Sequence, residues 1–170
     1  MHIKEEPRLV LINWQFETPP LTVTLPKKTL TTLVVNTQNG NITAENILIE
    51  KDAEFITQNG EIHVSQISAS DLSLKTDAGG IFLRTVECKT LKAETDLGSV
   101  RLSGTLTADL AEFTSELGDI DLSEGIVKAN DIRLSTELGN ISAKLSGKQQ
   151  DYSADVTCDM GNTNLYPYQS

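Results

Sequence analysis

The side chains able to do chemistry in this chain are mostly carboxylates, and several of them recur at one fixed place. Two positions before each of a series of glycines stand Gln38, Gln58, Asp77, Asp96, Glu116, Glu137 and Asp159. The glycines are Gly40, Gly60, Gly79, Gly98, Gly118, Gly139 and Gly161, separated by 20, 19, 19, 20, 21 and 22 residues. If units of that length stack in register, the last five acids form a column with neighbours about 4.8 Å apart. Like charges at that spacing repel by roughly 0.9 kcal/mol in a water-like dielectric. Such a column could be relieved by Ca2+ or a cationic peptide; its plainer role is a solvated turn row that discourages lateral aggregation. The glycine-rich nonapeptide of Ca2+-binding β-rolls is absent, so any Ca2+ bound here is bound weakly.

Other chemistry is scarce. Only His2 and His63 supply imidazoles, and His63 falls between inward Ile62 and Val64, on the outer face. Cys88 and Cys158 lie several repeats apart, beyond the reach of an internal disulfide. The count of Cys and His excludes metal sites built on those ligands. No Gly-x-Ser-x-Gly, His-Glu-x-x-His or Cys-x-x-Cys occurs, and Ser146-Gly147-Lys148 lacks the earlier glycine of a phosphate loop. A glycoside-cleaving pair needs two acids in unlike environments, whereas these acids look alike and sit at turns. No catalytic, cofactor-binding or metal-ligating residue is assigned, and the expectation is a protein that is not an enzyme.

The elements that must position the acids are written in the same repeat. Its phrase is Thr37-Gln-Asn-Gly40-Asn-Ile42, and a fixed period near twenty marks a repeat architecture. Apolar or small residues occupy the positions seven and five before the glycine and two and four after it, from Leu33, Val35, Ile42 and Ala44 in the first unit to Ala154, Val156, Thr163 and Leu165 in the last. The spacing of two within each group predicts short strands with alternate side chains turned inward. A looser run containing Ile47, Ile67, Val86 and Leu106 predicts a third short side. No unit can bury its apolar side alone, so the units stack in parallel round one core. The predicted fold is all-β, a single parallel β-solenoid of about seven coils of 19–22 residues, capped at both ends. Residues 1–30, with Trp14, Phe16, Pro19-Pro20 and Leu21–Pro26, read as the N-terminal cap; 31–165 are the repeats, and 166–170, with Tyr166-Pro167-Tyr168, close the other end.

Three before the glycine runs a hydroxyl column, Thr37, Thr57, Thr76, Thr95, Ser115 and Thr136, ending at Cys158. Parity turns it inward, where each hydroxyl can bond to turn backbone or to the next coil. The glycine is expected to take a positive φ at a sharp corner, and Asn39-Gly40 and Asn59-Gly60 are strong turn pairs. Later coils replace that Asn with Ala78, Leu97, Leu117, Leu138 and Met160, residues that resist a positive φ. Either the corner turns these side chains into the core, the favoured expectation, or they form an outward apolar stripe beside the acids, a surface for docking or self-association.

The phrase Thr-x-Asn-Gly-x-Ile, preceded by Leu25-Pro26-Lys27-Lys28 and Leu33-Val-Val, resembles a bacterial adhesin-like family of β-solenoid domains of unknown function over roughly residues 21–165. The resemblance implies a non-enzymatic module at the cell surface or envelope and carries no site residues with it. Charge narrows the partners. The net charge is −10, with −3 in residues 1–85 and −7 in residues 86–170. That balance opposes nucleic-acid binding, which needs Lys and Arg on phosphates, and disfavours anionic membranes. A protein, a cationic peptide or a glycan is the expected partner, with homo-oligomerisation as a structural alternative. No leader or long apolar run is evident in Met1–Pro7 or beyond. The chain therefore reads either as cytoplasmic or as a piece of a longer exported or anchored protein.

Overall fold

The computed structural model describes residues 8–13, 29–147 and 151–168. They form an all-β parallel solenoid of about seven turns. Each coil opens with a strand on side one, which in the first four coils is β2 (Thr32–Asn39), β4 (Asp52–Asn59), β6 (Asp71–Ala78) and β8 (Thr90–Leu97). After the corner glycine the chain runs along side two as β3 (Ile42–Leu48), β5 (Ile62–Ser68) and β7 (Ile81–Glu87). From there β9 (Val100–Leu117) and β10 (Ile120–Leu138) each continue unbroken from one coil into the next. The stack closes with β11 (Ile141–Ser146), β12 (Ser153–Met160) and β13 (Thr163–Tyr168). Every neighbour is parallel, as stacked coils of one hand require.

The core is the set of inward columns read from the repeat. Leu72, Leu74, Ile81 and Leu83 are buried in the third coil, and Ile132, Leu134, Ile141 and Ala143 in the sixth. Volume is traded within a coil: buried Phe55 and Phe113 each have an alanine two residues earlier, Ala53 and Ala111, where the first, third, fourth and sixth coils place Leu33, Leu72, Leu91 and Ile132. A rod of constant bore needs that exchange, because interiors pack to near-crystalline density.

The third side is present too. Ile67, Val86, Leu106, Val127 and Leu145 are buried along it, and a further column runs through Leu30, Ile49, Ala69, Cys88 and Ala108. The bend leading into it was not legible beforehand. It is made by Asn46 (φ 56°) and Gln66 (φ 55°) in the first two coils. Further on, the same corner holds Gly104, where an added Cβ would overlap the Arg84 carbonyl oxygen.

At the N-terminal end β1 (Arg8–Asn13) stacks on β2 with Leu9 opposite Leu33 and Leu11 opposite Val35. The expected cap residues Trp14, Phe16, Pro19-Pro20 and Leu21–Pro26 lie outside the described residues. At the other end, Tyr166–Tyr168 finishes β13 and pairs with Lys144–Ser146, so this segment is the last side of the last coil. The inward columns open there: Ala154 and Leu165 are exposed, and Val156 and Cys158 are half-buried.

Candidate functional site

The corner between sides one and two carries the recurring phrase, and its backbone comes first. The amide of each glycine donates to the carbonyl of the residue before the next glycine: Gly79 N–H to Leu97 O at 2.9 Å, Gly98 to Leu117 at 3.1 Å, Gly118 to Leu138 at 2.9 Å and Gly139 to Met160 at 3.1 Å. Glycines therefore stack directly on glycines. A Cβ built on Gly60, Gly79, Gly98, Gly118, Gly139 or Gly161 would overlap the carbonyl oxygen of the glycine one coil earlier. Close approach is the reason for the column. Gly98 and Gly139 belong to it without taking a left-handed φ, whereas Gly40, with φ +134°, has open space where its Cβ would sit.

That same carbonyl receives the inward hydroxyl. Thr57 donates to Gly40 O at 3.0 Å, Thr76 to Gly60 O at 2.9 Å, Thr95 to Gly79 O at 2.8 Å, Ser115 to Gly98 O at 2.9 Å and Thr136 to Gly118 O at 3.0 Å. These five residues are buried, and each spends its hydroxyl on turn backbone, which satisfies a polar group that water cannot reach. Cys158 ends the series with its thiol 3.3 Å from Gly139 O.

A second ladder, missed in the sequence, lies just past the glycine. The side chain there accepts the backbone N–H of its counterpart one coil on: Asn41 Oδ1 from Glu61 at 2.9 Å, Asp119 Oδ1 from Asn140 at 2.7 Å and Asn140 Oδ1 from Asn162 at 3.1 Å. The signal was the row Asn41, Ser99, Asp119, Asn140 and Asn162, short side chains with an acceptor oxygen in five of the seven coils, with Glu61 and Gly80 in the other two. Asp119 is thereby committed to structure, since it also takes the Asn140 amide at 3.1 Å.

Outside this bonded frame are the two candidate rows. Register places Ala78, Leu97, Leu117, Leu138 and Met160 in one line along successive coils. The favoured expectation that these side chains turn into the core is wrong. Leu97 is 52% exposed, Leu117 44%, Leu138 40% and Met160 65%. The hydroxyl-to-carbonyl bonds seal the core one step earlier, at the Thr column, so the next inward position already lies past the corner. Beside this stripe run Asp77 and Asp96, half-buried, and Glu116, Glu137 and Asp159, exposed.

Residues 3–168 match the family model described as Toastrack DUF4097. The chain belongs to the Toastrack family. It is a β-solenoid-type family of unknown function. No curated protein and no solved structure matches the chain.

Several other polar side chains of this Toastrack domain have local roles. On side one Glu94 accepts from Lys75 at 2.5 Å and Lys92 at 3.0 Å. The Lys75 hydrogen bond, then that of Lys92, holds the Glu94 carboxyl below its ordinary range and, in return, raises the Lys75 ammonium. Arg133 lies 3.9 Å from Glu112 beside a shallow groove that also touches Asp155. On side two the His63 ring stacks on Phe82 with centroids 4.6 Å apart and planes 10° from parallel, and Glu61 Oε2 holds His63 Nε2 at 2.8 Å. The Phe82 ring fills the space where a Cβ on Gly80 would sit. Cys88 and Cys158 are both free thiols. Burial first, and then Asp71, Asp109 and Glu87, push the Cys88 thiol up to about 12, which leaves it an inert core residue. Among the described residues no three His, Cys, Asp or Glu side chains converge as a metal-holding group.

Proposed function

We propose that this Toastrack domain is a non-catalytic, adhesin-like binding module of the bacterial cell envelope that recognises a protein, peptide or glycan on its outer surface. The observation that carries the reading is the line of exposed Leu97, Leu117, Leu138 and Met160 on a corner whose glycine amides are hydrogen-bonded from coil to coil. Large apolar side chains held in a row outside the core leave water only when something covers them. The envelope location rests on the family resemblance in the repeat phrase. A non-catalytic role is supported by the commitment of two of the repeated polar rows to the scaffold: the Thr/Ser column and the Asn and Asp residues just past the glycine bond to backbone. A peptide array and a glycan array probed with the wild-type domain and with Leu117→Asp/Leu138→Asp test the proposal. Ligands retained by the first and lost by the folded second are expected. A ligand set identical for both would overturn it.

A second reading has its own observation. Among the described residues β12 and β13 each have a neighbour on one side only, and Leu165 at that end of the core is 40% exposed. An open end of that kind favours a self-assembling rod in which coils continue across subunits. Light scattering that rises with concentration into filaments supports assembly; a discrete monomer or dimer at all concentrations removes it.

A further inference from the structure

The geometry points to a cationic amphipathic α-helix of a partner protein as the occupant of the corner stripe, an assignment that rests on the binding-module reading above. The stripe and the acid row are separate features that share an axis. Leu97, Leu117, Leu138 and Met160 stand on consecutive coils, and Asp96, Glu116, Glu137 and Asp159 each immediately precede one of them. No Lys or Arg occurs in the corner segments Asp96–Ser99, Glu116–Asp119, Glu137–Asn140 and Asp159–Asn162. A partner must therefore present apolar groups in line with positive charge alongside.

Spacing selects the partner's secondary structure. Coils repeat at about 4.8 Å, so the four apolar side chains span roughly 14 Å. A helix places anchors at i, i+4, i+7 and i+11 over about 16 Å at 1.5 Å per residue. The mismatch is about 2 Å in total, within the reach of leucine and methionine rotamers. An extended strand places same-face side chains about 6.7 Å apart. It would overshoot the stripe by about 6 Å over the same three steps, and only its ends would meet anchors. A helix with lysines or arginines flanking its apolar line fits both rows at once, in the manner of helix-in-groove recognition laid on a ridge. Asp119 sits on the far side of the stripe but is held by the Asn140 backbone and side chain; on the near side Asp96 shares its field with Lys75, and Glu116, Glu137 and Asp159 are exposed to meet the partner's charge.

The test uses a synthetic fluorescein-labelled helix of about 15 residues, with leucines at i, i+4, i+7 and i+11 and lysines on the flanking positions. Controls are a scrambled peptide of the same composition and a strictly alternating leucine–lysine peptide that forms strands. Fluorescence anisotropy and circular dichroism are read against wild type, Leu117→Asp/Leu138→Asp and Asp96→Asn/Glu116→Gln/Glu137→Gln. Should the first variant fail to fold, Leu117→Gln/Leu138→Gln replaces it. Saturable binding with a gain of peptide helicity is expected. So is a loss of at least about tenfold in affinity in the apolar variant, the effect of truncating interface anchors. The charge variant should bind more weakly and with a shallower salt dependence. Equal binding by the scrambled or alternating peptide, or unchanged binding by the apolar variant, overturns the helix. If the helix does not bind while an array ligand is lost in the leucine variant, the binding module stands and this inference falls.

Discussion

At the scale of the residue, one carbonyl oxygen per coil carries the argument. The Gly79 oxygen receives the Thr95 hydroxyl at 2.8 Å and leaves no room for a side chain at position 98. Replacing Thr95 with Val keeps the shape and removes the donor. The buried carbonyl loses that partner, and chemical denaturation should register a loss of about 1–2 kcal/mol; no loss would mean that the hydroxyl column is ornamental. Gly98→Ala separates steric need from φ. Its backbone is not left-handed, so any cost comes from the overlap with Gly79. A loss of about 2 kcal/mol or more is expected from such overpacking. Gly40→Ala, which meets nothing but has φ +134°, should cost only about the strain of that backbone, roughly 1 kcal/mol. The reverse order of the two would refute the close-packing account. Cys88 supplies a pH signature. The folded thiol ionises near 12, above its ordinary value of 9.0, so between those values the folded state holds a proton that the unfolded state has lost. The stability gained from this group is complete below about pH 9 and falls as pH rises toward 12. A thiol reagent at pH 8 should therefore modify Cys158 in the native protein and reach Cys88 only on unfolding. Rapid native labelling of Cys88 would contradict its burial.

At the scale of the element, the strands were legible because their period was written seven times over. A single unit such as 33–44 gives only a short alternating run, but the same alternation repeated at fixed spacing leaves one arrangement, parallel stacking. The third side was legible for its buried residues, Ile67, Val86 and Leu106. Its corner was not, because Asn46 and Gln66 answer a left-handed backbone and Gly104 a close approach to the Arg84 carbonyl, and the three share no side-chain chemistry. The stripe was misjudged for a related reason. Inward parity continues as far as the Thr column, and nothing in the letters says that a hydroxyl will close the core before Leu97. The acceptor row after the glycine went unread because Asn, Ser and Asp look different until their common acceptor oxygen is considered. The end strands yield a prediction of their own. Among the described residues β12 has a neighbour on one side only, so alternate backbone groups face away from the stack. Amides of Ala154–Cys158 should exchange with solvent well before those of Ala111–Ser115, which occupy the same columns with a coil on either side. Equal protection of the two segments would mean that something covers the end.

At the scale of the whole molecule, the solenoid separates scaffold from surface more cleanly than a globular fold does. Each coil touches its neighbours alone, so stability is close to a sum of repeat and interface contributions. The bonded positions must recur, while outward positions are free to drift. Along the corner they do drift, from Gln38-Asn39 and Gln58-Asn59 to Asp96-Leu97, Glu116-Leu117 and Glu137-Leu138. The early coils use this row for an asparagine ladder, with Asn59 Nδ2 donating to Asn39 Oδ1 at 3.1 Å. The later coils give up that ladder for exposed leucine beside carboxylate. The proposed recognition surface therefore lies in the C-terminal half of the rod, which is also its more acidic half. A docking surface at this corner requires those leucines to lie outside the core. Its most direct test is the unfolding free energy of Leu117→Asp measured in urea. A folded protein within about 0.5 kcal/mol of wild type, as for a surface change, is the expected result. A loss of more than about 2 kcal/mol, as for a charge forced into the interior, would return the stripe to the core and remove the docking surface.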